Sequence, residues 1–179
     1  THAKATSTSP AGTLGWATVS INSGVERFAA IDGSGNIIQA VLTTQNDVTQ
    51  WGFGQNIVNS GAFTGAVDNA HISSLTFEAP LATTVGLTST GHLLLSSGGI
   101  IVDPAVGAFN TTIQGGKIYG ATSGVLGDVS VHQNNPFGTL TIASQIVNAG
   151  GITKTGAGLL VLTGSNSYVS GTGTQVSVN

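Results

Sequence analysis

From His71 onward the chain is cut into apolar runs of two to four residues, and this feature limits its possible folds most. The runs are Leu75-Thr-Phe77, Val85-Gly-Leu87, Leu93-Leu-Leu95, Ile100-Ile-Val102, Thr112-Ile113, Lys117-Ile-Tyr119, Val129-Ser-Val131, Leu140-Thr-Ile142 and Leu160-Val-Leu162. Gly, Asn, Asp, Pro or Ser separates each from the next. Runs of this length suit strands, and they are too short to be stable as isolated ribbons. They need many neighbours.

Composition narrows the choice further. Only 6% of the 179 residues are charged, against about a quarter in an average soluble domain. Disorder is excluded, because 40% are hydrophobic and the mean hydropathy is +0.29. No apolar stretch approaches the roughly 18 residues of a membrane helix, so membrane insertion of this segment is not expected. Long charged side chains that solvate helices are scarce, so almost no α-helix is expected. Thr, Ser, Asn and Gly carry the polar surface, and they suit strands and tight turns. The net charge of −3 and the scattered cations Lys4, Arg27, Lys117 and Lys154 argue against nucleic acid. Cysteine is absent, so neither disulfides nor thiolate metal sites staple the fold.

Three regions follow. Residues 1–13 read as a flexible lead-in or a cleaved start, without an initiator Met. Residues 14–70 read as an N-terminal β region or the start of a solenoid. There, strands are expected at Trp16–Ile21, Val25–Ile31 and Ile37–Leu42, with turns at Asn22-Ser-Gly24 and Asp32-Gly-Ser-Gly-Asn36. The pattern weakens from Asn46 to Asn59, around Trp51 and Phe53, and this part reads as a β meander or cap. Residues 71–179 repeat themselves. Gly-Gly before Ile recurs at Gly98-Gly99-Ile100, Gly115-Gly116-Lys117-Ile118 and Gly150-Gly151-Ile152. The run Gly138-Thr-Leu-Thr-Ile142 aligns with Gly158-Leu-Leu-Val-Leu162 at an offset of about 20 residues, the scale of solenoid repeats. Stacked turns of that length give each strand a partner about 4.8 Å above and below. The expected fold is all-β, a right-handed parallel β-helix with an N-terminal meander or cap. An antiparallel sandwich or barrel is the competing architecture.

The segment Asn148-Ala-Gly-Gly-Ile-Thr-Lys-Thr-Gly-Ala-Gly-Leu-Leu-Val-Leu-Thr-Gly-Ser-Asn-Ser-Tyr-Val-Ser-Gly171 resembles the autotransporter-associated β-strand repeat, which reads approximately GGLTKTGAGTLTLTGANTYTG. Gly151, Lys154, Gly156, Gly158, Leu160, Leu162, Gly164, Asn166, Tyr168 and Gly171 match that pattern in type. Val129-Ser-Val-His-Gln133 and Gly138–Ile142 look like the turns preceding it. Gly15–Thr18 with Phe28–Gly33 is a looser match. The resemblance implies a passenger region of a long secreted bacterial protein, folded as a right-handed parallel β-helix at the cell surface. Many such proteins end in an outer-membrane barrel, which this chain does not contain. Lack of cysteine fits passage through an outer-membrane pore as an unfolded chain. Within the motif, Gly156 and Gly158 are expected where the backbone turns sharply. Leu160 and Leu162 are expected to point inward, since strand side chains alternate. Asn166 is a candidate for an amide ladder with an Asn of the next turn, and Tyr168 for covering a corner.

No catalytic constellation stands out. Glu26, Asp32, Asp47, Asp68, Glu78, Asp103 and Asp128 are far apart in sequence, whereas glycosidases need two acids about 5–9.5 Å apart. Stacking of turns is the one way to join them. His71, His92 and His132 are spaced by about one and two turns, which would align them as a metal ladder on a regular solenoid; the bland alternative is surface placement. Gly150-Gly-Ile-Thr-Lys154-Thr lacks P-loop spacing and leads into a strand. Asn110-Thr-Thr112 is a formal glycosylation sequon. Trp16, Trp51 and Phe53 read first as core or cap packing and second as sugar platforms.

The sequence therefore points to a non-enzymatic, extracellular structural rod, with no cofactor or metal expected. No capping helix is seen at either end, so either the chain is an excised piece or its open strand edges stack on neighbouring copies to make a fibre. The second reading is an adhesin that binds glycans or host surfaces. A polysaccharide lyase or hydrolase is the weakest of the three.

Overall fold

The computed structural model describes residues 13–20, 25–120, 127–168 and 175–178. The expected lead-in, apart from Thr13, the turn at Asn22–Gly24 and Gly171 fall outside the described residues. The chain is all-β, with antiparallel pairing at its start and parallel pairing beyond. Its described helical elements are two single 3₁₀ turns, Val48–Gln50 and Pro104–Val106. An antiparallel sandwich does not describe it.

Strands β1 (Thr13–Ser20), β2 (Glu26–Ile31) and β3 (Ile37–Gln39) form an antiparallel meander. The β2–β3 turn is organised by Asp32, whose Oδ1 accepts from the Ser34 and Asn36 N–H groups. Its Oδ2 accepts from Asn36 Nδ2. The third strand is shorter than expected. After Ala40 N–H donates to Phe28 O at 2.8 Å, the chain leaves the meander. Leu42–Thr44 then pairs in parallel with Asn56–Val58.

Parallel pairing continues in three ladders. Ladder A stacks segments 42–44, 56–58, 74–77, 99–102, 130–133, 152–155 and 175–178. Ladder B stacks 69–72, 92–95, 117–119, 145–147 and 167–168. Ladder C stacks 83–86, 111–114, 139–142 and 159–162. From residue 83 the chain visits C, B and A in that order and then repeats it. The runs 138–142 and 158–162 pair in the expected register, with Leu140 opposite Leu160 and Ile142 opposite Leu162. The Gly-Gly-Ile recurrence does not mark equivalent positions. Ile100 stands over Val131, which stands over Lys154, whereas Ile152 pairs with Val129. The number of residues between partners varies, from 14 between Leu42 and Asn56 to 31 between Gly99 and Ser130.

Alternate side chains of the ladders enter one continuous core. Ile57, Leu75, Ile100 and Val131 form an inward row in ladder A, each at 0% exposure. Val85 and Ile113 from ladder C, with Leu93 and Ile118 from ladder B, meet them there. Fully burying such a side chain contributes roughly 1.5–3 kcal/mol. The meander covers the outer side of ladder A. Phe28 packs with Ala40 and Ile101 in a second cluster and sits edge-on to His132, with ring centroids 5.5 Å apart. Ser74 and Thr76, on that same outer side, are consequently at 0% exposure.

Candidate functional site

The motif residues occupy consecutive stations of the three ladders. Gly151 pairs with Gln175 in ladder A. Lys154 follows Val131 in the inward row, half-buried, and its ammonium donates to Gly156 O. Gly156 has φ +80°, the left-handed region where glycine is at ease. Gly158 lies against the Asn135 carbonyl, and Gly164 against that of Ser144. Leu160 and Leu162 pack against the core. Asn166 Oδ1 accepts from the Ile146 N–H, a backbone group of the preceding turn, at 2.8 Å. Tyr168 pairs through its backbone with Ala149 in ladder B, and the corner role expected of its ring lies outside the described side chains.

Stacking does bring acids together, at the corner after ladder A. Arg27 of β2 donates through Nη2 to Glu78 and through Nη1 to Asp103 at 3.1 Å. Glu26 accepts from Asn134 Nδ2 at 2.9 Å. A carboxylate pair held on one guanidinium is an ionic clamp. The clamp fastens the meander to the ladder. Gln133, to which the sequence assigned no role of its own, is its inner counterpart. Its side chain is fully buried and donates to Gly138 O and Leu159 O, while accepting from Asn135 N–H.

The histidines do not line up. His132 lies in ladder A beneath Phe28, whereas His71 and His92 lie in ladder B. Within ladder B, His92 is opposite Asn69 and His71 is opposite Leu94. Among the described residues no group of three His, Asp or Glu could hold a metal.

The three outer faces differ in chemistry. The middle of ladder A, from Ser74 to His132, is covered. Ladder C presents Thr84, Thr112 and Thr141 in register, and segments 83–86, 111–114, 139–142 and 159–162 contain no ionisable side chain. Ladder B carries two outward rows. One is Asn69, His92, Lys117 and Gln145; the other is His71, Leu94, Tyr119 and Val147, of which Val147 is buried. Phe53 is 77% exposed and stands edge-on to His71 at 4.5 Å. His92 and Tyr119 meet edge-on at 5.8 Å. Phe53 is thus a surface ring, against its first reading as packing, whereas Trp51 is buried against Phe63. Trp16's side chain is outside the described ones. Lys117 is exposed, with no carboxylate at ion-pair distance among the described residues.

The chain is 35% identical over 181 aligned positions to a protein named Adhesin BmaC autotransporter, from Brucella suis biovar 1 (strain 1330). The alignment takes in 93% of this chain and 5% of that much longer protein. The chain is thus related in sequence to an autotransporter adhesin, of which it spans a small part. No protein-family model matches it, and no solved structure does. No helix among the described residues is long and apolar enough to cross a membrane.

Proposed function

We propose that the chain is a right-handed parallel β-helical segment of the secreted, surface-exposed region of an autotransporter-type adhesin. It serves there as a stiff rod whose lateral faces make contact with other surfaces, and it has no enzymatic role. The repeating C–B–A order of the ladders around one core supports this reading most directly. Successive parallel strands joined by crossovers wind right-handed in about 98% of cases. The relationship to an autotransporter adhesin supports the cell-surface location and the contact role. The neutral Thr-rich face of ladder C fits a surface that makes contacts.

Beads coated with the purified chain test the contact role. They are expected to adhere to animal-cell monolayers above beads coated with an unrelated β-rich protein. Equal adhesion of the two would remove the adhesin reading. A crystal structure tests the architecture, and left-handed winding would remove that part.

A further inference from the structure

We infer that the outer face of ladder B binds an acidic polysaccharide, with Lys117 pairing a sugar carboxylate and Phe53, His92 and Tyr119 lying against sugar rings. The inference rests on the adhesin reading and gives it a ligand class and a site.

Register makes this face a grid. Asn69, His92, Lys117 and Gln145 follow one another on successive strands, beside His71, Leu94, Tyr119 and Val147. Strands in a ladder are about 4.8 Å apart, on the scale of one sugar ring. An extended glycan laid along the stack therefore meets a new pair of side chains at each unit. Rings bind the apolar faces of sugars, and Phe53, at 77% exposure, offers such a surface uncovered. Asn69 and Gln145 supply neutral amides for hydroxyl groups.

Lys117 supplies a positive charge on this face with which a sugar carboxylate can pair. Of the described Lys and Arg residues, Arg27 is held by two carboxylates and Lys154 donates to Gly156 O. Lys117 alone is exposed with no such partner among the described residues. Asp128 lies against Gly120, the residue after Tyr119. Asp68 accepts from Thr88 Oγ1 at 3.1 Å and adjoins Asn69. It lies two strands away from Lys117 in register. The segments of ladder C hold no ionisable side chain, and the meander covers the middle of ladder A.

Calorimetry at low salt with polygalacturonate and hyaluronan oligomers tests the site, using methyl-esterified polygalacturonate as the uncharged form of the same chain. The wild type is expected to bind at least one acidic oligomer, and the ester at least tenfold more weakly than the free acid where polygalacturonate is bound. Lys117→Gln is expected to weaken binding at least tenfold, Tyr119→Ala at least fivefold, and Lys117→Arg to restore it. Thr112→Ala on ladder C is the control and should leave affinity unchanged. No binding of either acidic oligomer, equal binding of the ester, or full affinity in Lys117→Gln would each overturn the inference. Bead adhesion separates the two readings: if Lys117→Gln beads adhere as the wild type does while the oligomers fail to bind, this site falls and the adhesin role stands.

Discussion

The ring of Phe28 occupies the space that a side chain at Gly99 would fill. A Cβ built on Gly99 would lie 2.6 Å from Phe28 Cε1, closer than packed atoms approach. Each residue is thus the condition for the other, and together they seat the meander on ladder A beside Ile101 and Ala40. Phe28→Ala should cost about 3–5 kcal/mol, as other Phe truncations in cores do. Gly99→Ala should cost about 1–3 kcal/mol by overpacking. Urea denaturation measures both. Hydrogen exchange should localise the loss, with protection falling first in strands Glu26–Ile31 and Ile37–Gln39 while Ile113 and Leu140 stay protected. Uniform loss across the chain would show that the meander does not behave as a separable cover.

The Arg27 clamp leads to a second expectation. Asp103 has a side chain only 4% exposed, and Arg27 one 11% exposed. Arg27→Ala leaves that carboxylate buried without compensation, which typically costs about 3–5 kcal/mol. Glu78 is more open, at 34%, so Glu78→Gln should cost about 1 kcal/mol or less. Arg27→Lys should not rescue the clamp, because one ammonium cannot reproduce a fork that reaches two carboxylates. Thermal melts of the three variants check the ranking, and a Lys variant as stable as the wild type would contradict it.

Local features were legible in the sequence, and long-range ones were not. Leu140 and Leu160 could be aligned because two short runs with the same spacing pair directly. The Asp32–Asn36 turn could be placed because Asp and Gly carry their own turn chemistry. The Gly-Gly-Ile recurrence misled, since Gly98 and Gly150 sit at corners whose loops differ in length, and a repeat counted in residues then loses register. The contact between Arg27 and Asp103 spans 76 residues, and nothing local announces it. The same holds for the binding face. His71 and His92 looked like neighbours by interval, yet the ladder offsets them by two positions and places Lys117 opposite His92 instead.

The Asp32 turn should respond to acid. Hydrogen bonds from the Asn36 side chain, then from the Asn36 and Ser34 backbone, hold the Asp32 carboxyl below its ordinary value of 3.8. A depressed folded value means that the turn is stabilised above the unfolded value and loses that contribution as pH falls through the folded one. The turn should therefore be intact at neutral pH and loosen only in strong acid. NMR titration of the Asp32 carboxyl is the measurement. Asn36→Ala should move its midpoint upward, because the largest of those hydrogen bonds is then gone. An unchanged midpoint would assign the depression to the backbone alone. Asp47 should titrate in the same direction, through the Thr49 hydroxyl and N–H.

Two glycines separate close approach from mere turn preference. Gly158 donates its N–H to Gln133 O at 2.8 Å, and a Cβ there would overlap the Asn135 carbonyl and lie 2.7 Å from Gln133 Cγ and Cδ. None of these can yield easily. The carbonyl belongs to the backbone of the neighbouring turn, and Gln133 is fixed by its bonds to Gly138 O, Leu159 O and Asn135 N–H. Gly86, by contrast, has nothing within 4 Å of a built Cβ and no left-handed φ. Gly158→Ala should therefore destabilise the chain by about 1–3 kcal/mol. Gly86→Ala should be neutral or stabilise it by up to about 1 kcal/mol, since alanine restricts the unfolded chain. Paired urea midpoints give the comparison directly. Equal losses at the two positions would mean that glycine is needed for strand conformation in general, and that the spacing between turns does not select it.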